Sequence, residues 1–419
     1  MTEAYLLEWL HLLGRWTHLI TGIAWIGASF YFIWLDNHLQ LPTENNGRKG
    51  LDGELWAVHS GGFYHMQKYG TALEALPATL HWFKWEAYAT FITGLFLLIL
   101  LYWYQAELYL IDPSINAISK PAAITLGVAT LAGGWLLYDR LCKSRIGRSD
   151  RRIGICLLLL LPILTWSLCQ VFSGRGAYIH FGALLGTIMV GNVFFVIMPA
   201  QSEMVAARQQ SRMPDGKFAI HAKQRSVHNT YFTLPVLITM LSNHYSMLYA
   251  NRWNWLILCT LTLIGVLTRV HFVQSHKGRS SPVPALGACV LLIGLFFAMT
   301  PTLHSTQSSQ PKQMTEDFAK SSSIPLADIF SIVDLHCNQC HHSQPTHPAF
   351  QSAPQGIRFD TAQDVYTYAQ LIYQQTVVSR AMPLGNSSGM TENERNSIAS
   401  WFESFPSDST IDRKTDQPR

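Results

Sequence analysis

Long apolar stretches separated by short polar loops dominate the chain up to about residue 300. A helix needs about 20 mostly apolar residues to cross the roughly 30 Å hydrocarbon core of a bilayer. The stretches of about that length are 9–34, 87–104, 121–138, 153–172, 178–198, 231–249, 253–270 and 284–301. The sixth stretch contains Asn243 and His244, yet its start at 231–238 is apolar enough to insert into a membrane. This pattern predicts an all-α fold, a polytopic helical membrane bundle of about eight spans.

The loops between these stretches differ sharply in charge. The first, third, fifth and seventh loops carry 17 Lys and Arg residues, whereas the second, fourth and sixth carry only Lys120, Arg175 and Arg252. Positive residues accumulate on the cytoplasmic side of a membrane. We therefore expect a multi-pass protein of the cell inner membrane with both termini on the periplasmic side. The first stretch is too long for a signal peptide and lacks a small-residue cleavage site, so we expect an uncleaved anchor.

The last third of the chain changes character. Residues 302–323 are rich in Ser, Thr, Gln and Lys without a hydrophobic period, which is typical of a flexible linker. Residues 324–406 have the pattern of a small soluble helical domain, with helix-start capping signals at Thr361 and Thr391. We therefore divide the chain into a membrane domain (1–301), a linker (302–323), a C-terminal domain (324–406) and a polar tail (407–419).

The C-terminal domain contains the motif Cys-x-x-Cys-His at Cys337, Cys340 and His341, the attachment signature of a c-type haem. Two thiols on one helical turn can each bond a haem vinyl group, and the next residue supplies an imidazole to the iron. About forty residues later, Met382 precedes a proline in a loop, where a small cytochrome c takes its second axial ligand. Met390 is the alternative ligand, and Met382 could instead simply fill a gap. The motif predicts covalent haem c and a cytochrome c domain.

Composition supports a bilayer protein and excludes other classes. The chain is 48% hydrophobic and only 13% charged, whereas soluble proteins average about 25% charged. Its net charge of +4 is small, and no basic cluster interleaved with aromatic residues suggests a nucleic-acid partner. The cysteines outside the motif are scattered through apolar segments, so we interpret them as inert core thiols.

Histidines inside the predicted spans suggest a second cofactor. His11, His18 and Trp25 recur every seven residues and therefore share one helical stripe. In the predicted orientation, His180 and His244 also lie toward the outer ends of their spans. Paired imidazoles could hold a b-type haem in the membrane, and His18 with His244 is the pair to test. The alternative is that each histidine donates a hydrogen bond to a neighbouring helix.

The predicted cytoplasmic loops carry weak catalytic candidates. Aromatic residues in the first loop could stack on a flat heterocycle, and nearby side chains could move protons or donate hydrogen bonds. These side chains are His59, His65, His81, Lys84 and Glu86. The Gly61-Gly62 pair favours a tight turn or a close ligand approach. An interfacial helix with an aromatic belt is the plainer explanation of residues 80–86.

The fifth loop could add an anion-binding side to such a site. The residues concerned are His221, Gln224, Arg225, His228 and Asn229. Topology alone already explains a basic cytoplasmic loop.

Several blocks of the sequence resemble the membrane-bound, cytochrome-c-linked urate hydroxylases. The blocks are HLLGRWTHLITGIAWIGASFYF (11–32), GELWAVHSGGFYHMQKY (53–69), LHWFKWEAYATFITG (80–94) and AMPLGN (381–386). The resemblance implies an eight-span membrane domain fused to a cytochrome c. It also implies oxidation of urate, or a similar flat purine, to 5-hydroxyisourate, with electrons passed to the haem and on to a downstream cytochrome or terminal oxidase. It names no urate-contacting residue.

Two other functions fit the same residues. The chain could oxidise a quinol from the membrane lipid and pass the electrons to its own haem. Alternatively, the membrane part could be a transporter that carries a cytochrome module. Since a single haem accepts one electron at a time, a two-electron substrate would favour a second centre such as the predicted membrane haem.

Overall fold

The computed structural model describes residues 3–42, 50–70, 73, 75–113, 115–278, 281–300, 324–350 and 352–405. The predicted linker and polar tail lie outside these residues. Of the described residues 72% are helical and few lie in strands, which confirms the predicted all-α fold class.

Helices make up most of the described chain up to residue 300. They are α1 (Glu3–His38), α2 (Trp85–Leu97), α3 (Ala106–Tyr109), α4 (Lys120–Lys143), α5 (Asp150–Val171), α6 (Gly174–Asn192), α7 (Met198–Gln209), α8 (Gly216–Leu241), α9 (Ser246–Tyr249), α10 (Asn254–His276) and α11 (Val283–Ala298). Wider π-helical turns extend α2 through Leu98–Trp103 and join α6 to α7 through Val193–Ile197.

Six of these helices are long and apolar enough to cross a membrane, among the residues described. They are Tyr5–His38, Trp85–Trp103, Lys120–Lys143, Asp150–Val171, Gly174–Gln209 and Asn254–His276. The last predicted span corresponds to the 16-residue α11. The sixth corresponds to α8, which begins at Gly216 rather than at residue 231 and ends at Leu241, before the short turn Ser242–His244. The hydropathy pattern missed the first half of α8 because this half is polar: Lys217, His221 and Lys223 are exposed, whereas Arg225 and Asn229 are buried in contacts with other polar groups.

The α6 helix lies at the centre of this part of the chain and packs against α4, α5 and α8. Side chains along almost all of α6 are buried, and Tyr178 and Phe181 join Phe172 and Leu258 in the main apolar core. The α1 helix packs mainly on α2 and leaves much of its apolar surface exposed. An apolar exposed surface of this kind suits contact with lipid.

A β-hairpin follows α1 and was not predicted. Strands β1 (Leu51–His59) and β2 (Gly62–Tyr69) pair antiparallel around Ser60 and Gly61. Both turn residues have positive φ, 48° and 77°, as the commonest two-residue hairpin turn requires. The predicted tight turn at Gly61 is therefore confirmed.

The C-terminal helices form a second apolar core. They are α12 (Leu326–His336), α13 (Asn338–His341), α14 (Ala362–Thr367), α15 (Ala369–Tyr373) and α16 (Glu392–Glu403). Their core includes Ile329, Val333, Ile398 and Trp401. Capping boxes begin α14 at Thr361 and α16 at Thr391, so both predicted helix starts are confirmed.

We expect Thr391→Ala to destabilise the start of α16 by about 1 kcal/mol, because the Thr391 hydroxyl accepts a hydrogen bond from the Glu394 amide. Amide hydrogen exchange at the start of α16 in the full-length protein should accelerate about fivefold. Ser397→Ala is the control, since the Ser397 hydroxyl bonds a carbonyl of its own helix, not the amides at the start of α16. Equal exchange rates in the two variants would contradict this role of the cap.

Candidate functional site

A cleft of about 430 Å³ opens among α1, the segment before α2, the α6–α7 helix and α8. The α1 helix contributes Trp25, Ser29 and Phe32, whose spacing places them on one helical stripe. The α7 helix contributes Gln201, and α8 contributes Asn229. Aromatic faces beside amide groups suit a flat, polar ring.

The segment before α2 supplies further aromatic lining. His81, Trp82 and Phe83 all face the cleft. The Phe83 ring makes edge contacts with Phe32, at 4.8 Å between centroids, and with His81, at 4.6 Å. These contacts join α1 to the 80–86 segment in one continuous aromatic surface.

Glu86 lies in the first turn of α2 and also lines the cleft. Its Oε2 atom is buried and has no hydrogen-bond partner within the described ranges. Burying a carboxylate oxygen without a partner is costly, so such an atom commonly serves a bound molecule. Glu86 is therefore the best-placed group in the cleft to accept a proton from a ligand.

The other first-loop candidates lie outside the lining of the cleft. The Lys84 ammonium lies over the rings of Trp82 and Trp85, at 6.0 and 5.6 Å from their centroids. His65 belongs to β2, where it stacks on Trp56 at 4.2 Å and its Nε2 lies 3.0 Å from Glu54. His59 is exposed at the end of β1. The structure thus brings together only His81 and Glu86 of the five candidates.

The predicted anion-binding residues of the fifth loop all lie on α8. His221 is exposed, whereas Arg225, His228 and Asn229 are buried. Gln224 donates hydrogen bonds to the carboxylate of Asp150 and the carbonyl of Gly147. Of this group, Asn229 alone lines the cleft.

Two of the histidines in the long helices, His18 and His180, have partners on helices. His18 Nδ1 lies 3.0 Å from the Thr93 hydroxyl, which itself donates to a carbonyl of α2. His180 is fully buried, with Nδ1 bonded to the Gly176 carbonyl and Nε2 accepting from the Trp103 indole. His244 is exposed in the turn after α8. In the described part of the chain no hydrogen bond or ring contact joins His18 to His244, and their pairing through a haem stays a prediction.

The Cys-x-x-Cys-His motif lies on the turn from α12 into α13. His341 Nδ1 bonds the carbonyl of Ile357 at 3.0 Å, which fixes the ring and leaves Nε2 available for a metal. Burial lowers the pKa of His341, so the imidazole is neutral at pH 7, as metal ligation requires. Burial also raises the pKa of Cys337 to about 12 and that of Cys340 to about 11. The chemistry and order of these side chains fit a covalently attached haem.

The two candidate methionines differ in their surroundings. Met390 is buried in the apolar core of the C-terminal helices. Met382 is only half-buried and lies in a loop. Two hydrogen bonds hold this loop: the Met382 amide donates to the Gln375 carbonyl, and the Met382 carbonyl accepts from the Arg395 guanidinium. The thioether of Met382 is therefore the better placed of the two to serve as an axial ligand.

The loop after Met382 contacts the segment around α3. Gly385 has a φ of +57°, and a Cβ atom there would lie 2.7 Å from the Ile111 carbonyl oxygen and 3.1 Å from those of Glu107 and Leu108. The α3 segment and the C-terminal helices therefore meet at a contact where only glycine fits. We call this the Gly385 contact.

Sequence reasoning missed Gln201 and Ser29 as cleft residues. Ser29 is a polar side chain inside the apolar helix α1, which was the available signal, whereas Gln201 lies just after the apolar stretch 178–198 in the more polar α7. Their convergence depends on how α1 packs relative to α7, and hydropathy carries no information about that arrangement.

Comparison with known proteins gave one match. A family model described as urate oxidase N-terminal matches residues 4–300, which include every residue of the cleft. No curated protein and no solved structure matched the chain.

Proposed function

The chain belongs to the urate oxidase N-terminal family, and we propose that it oxidises urate to 5-hydroxyisourate in the cleft described above. The conversion forms a bond between C5 of urate and a water oxygen. It releases two electrons and two protons, which need an electron acceptor and a base.

One observation carries this proposal: the buried, unpartnered carboxylate oxygen of Glu86 lies in a cleft lined by aromatic rings and amides. Urate is a flat anion rich in hydrogen-bonding groups. The rings of Trp25, Trp82 and Phe83 offer stacking faces, and the amides of Gln201 and Asn229 offer hydrogen bonds that orient the ring. Glu86 then accepts the proton that leaves as water adds, with His81 as the neighbouring group able to pass it on.

The electrons need an acceptor, and the C-terminal residues fit one. A haem held by Cys337, Cys340, His341 and Met382 would supply a one-electron acceptor ahead of a respiratory oxidase. The Ile357 carbonyl holds the His341 ring in the orientation that ligation needs. We place the protein in the inner membrane with the C-terminal domain on the periplasmic side, on the basis of the loop charges.

The test is to add urate to the purified full-length protein without oxygen and to record the reduced-haem absorption band. We expect the band to appear with urate and to reach the level given by a chemical reductant. Intact oxidised haem that responds to a quinol but not to urate would overturn the proposal in favour of a quinol-oxidising cytochrome.

A further inference from the structure

A buried polar network lies directly behind the cleft, and Arg225 anchors it. The Arg225 side chain is 2% exposed, and its Nη2 donates to the Asp139 carboxylate at 2.9 Å. Its Nη1 donates to the side-chain oxygen of Asn192 at 3.1 Å. A guanidinium can only donate hydrogen bonds, so this contact fixes which end of the Asn192 amide faces Arg225.

The orientation of Asn192 in turn fixes that of Asn229. With its oxygen bound to Arg225, Asn192 must donate through Nδ2, and it does so to the Asn229 oxygen at 2.8 Å and to the Tyr138 hydroxyl at 3.2 Å. Asn229 therefore presents its nitrogen on the other side, where one N–H bonds the Met189 carbonyl at 2.9 Å. The direction of each amide follows from the charge of Arg225 rather than from an arbitrary choice of rotamer.

The second N–H of Asn229 has no partner among the residues that the structure describes. Asn229 is 6% exposed and lines the cleft, whereas Asn192 is fully buried and does not. A buried N–H without an acceptor is costly, and a ligand in the cleft can supply one. Met189 also lines the cleft, so this donor lies at its wall.

We propose that Asn229 selects the substrate by donating this N–H to a carbonyl oxygen of the purine ring, and that Asn192 and Arg225 are positioning residues that hold it as a donor. The inference rests on the proposed function and names the chemistry of recognition within it. A site built around a fixed donor rejects ligands that lack the matching acceptor much more strongly than an apolar pocket could.

The test uses full-length protein reduced beforehand, so that urate binds without being consumed. Dissociation constants are measured by equilibrium dialysis for urate and for the three purinediones that each lack one urate carbonyl, at a pH at which all are monoanions. In the unaltered protein we expect one purinedione to bind at least about tenfold more weakly than urate.

The variants then separate recognition from folding. In Asn229→Leu the donor is gone, and in Asn192→Asp the Asn229 amide must turn its nitrogen toward the new carboxylate. The ratio of interest is the dissociation constant of that purinedione divided by that of urate. In both variants we expect this ratio to fall to within about threefold of unity. Tyr138→Phe is the matched control, because it removes another partner of Asn192 while leaving its contacts to Arg225 and Asn229, and it should keep the full ratio.

A ratio that is unchanged in Asn229→Leu or in Asn192→Asp would overturn the inference while the proposed function stands. A ratio that falls equally in Tyr138→Phe would also overturn it, since the network would then only support the fold. Failure of the unaltered protein to bind urate would overturn the proposed function itself.

Discussion

Glu86→Gln should lower urate-dependent turnover by about 100-fold or more, while the urate dissociation constant changes by less than about threefold. The substitution keeps the size of the side chain and one acceptor oxygen, exchanges the other oxygen for an NH2 donor, and removes the ability to accept a proton. General-base groups typically contribute about 100- to 10,000-fold to a rate, so a large loss in kcat with little change in affinity is the expected signature.

The position of Glu86 supports this expectation. The start of a helix favours a carboxylate because the helix dipole is positive there, and Glu86 occupies the first turn of α2. The buried and unpartnered Oε2 is left for a ligand.

The measurement is single-turnover reduction of the full-length protein by urate, together with binding to protein reduced beforehand. Glu203→Gln is the control, because Glu203 is paired with Arg212 and does not line the cleft. If Glu86→Gln and Glu203→Gln behave alike, Glu86 is not the base. A large loss in His81→Asn alone would then assign that role to His81.

The sequence predicted the helices well because apolar length and capping are local properties. The stretch 87–104 became α2 with its π-helical extension, and the capping boxes at Thr361 and Thr391 formed as expected. Local signals also predicted the turn at Gly61, although the strands on either side of it were missed.

The cleft could not be predicted in the same way, because it depends on contacts between distant helices. His81 and Glu86 were candidates along with three other first-loop residues, and only packing against α1 distinguishes them. Arg225 is the clearest case: on the sequence it is one more cytoplasmic charge, and in the structure it is buried in a polar network. A hydropathy window cannot separate a solvated arginine from one that is paired inside the protein.

His11, His18 and Trp25 share one face of α1, as their seven-residue spacing predicts, but each has different neighbours. His18 contacts Thr93 on α2, and Trp25 lines the cleft. His11 has a buried Nε2 without a partner in the described part of the chain. A shared stripe fixes the direction of these side chains, whereas their neighbours are set by the helices that pack against α1.

Gly385→Ala should slow haem reduction by urate between about fivefold and 150-fold, because the Gly385 contact places the C-terminal helices against α3. A methyl group at this position would meet the Ile111 carbonyl oxygen at 2.7 Å, which real Cβ atoms do not tolerate. Overpacking of this kind costs about 1–3 kcal/mol, and a cost of that size lowers the ratio of docked to undocked molecules by the same factor of about 5 to 150.

Gly389→Ala provides a matched control for this prediction. Gly389 has a φ of +71°, close to that of Gly385, but a Cβ atom there would meet no described atom within 4 Å. Both variants therefore carry the backbone strain of alanine in a left-handed conformation, and only Gly385→Ala carries the clash. Any difference between them measures the contact itself.

Two measurements decide whether the Gly385 contact couples the two parts of the chain. The rate of haem reduction by urate should fall in Gly385→Ala and remain within about twofold of the unaltered protein in Gly389→Ala. In both variants the haem content and the rate of reduction by a small chemical reductant should be unchanged. Amide hydrogen exchange in residues 106–111 should also rise in Gly385→Ala alone, because loss of docking exposes the α3 segment. Normal reduction by urate in a variant that shows raised exchange would mean that electrons reach the C-terminal domain without this contact.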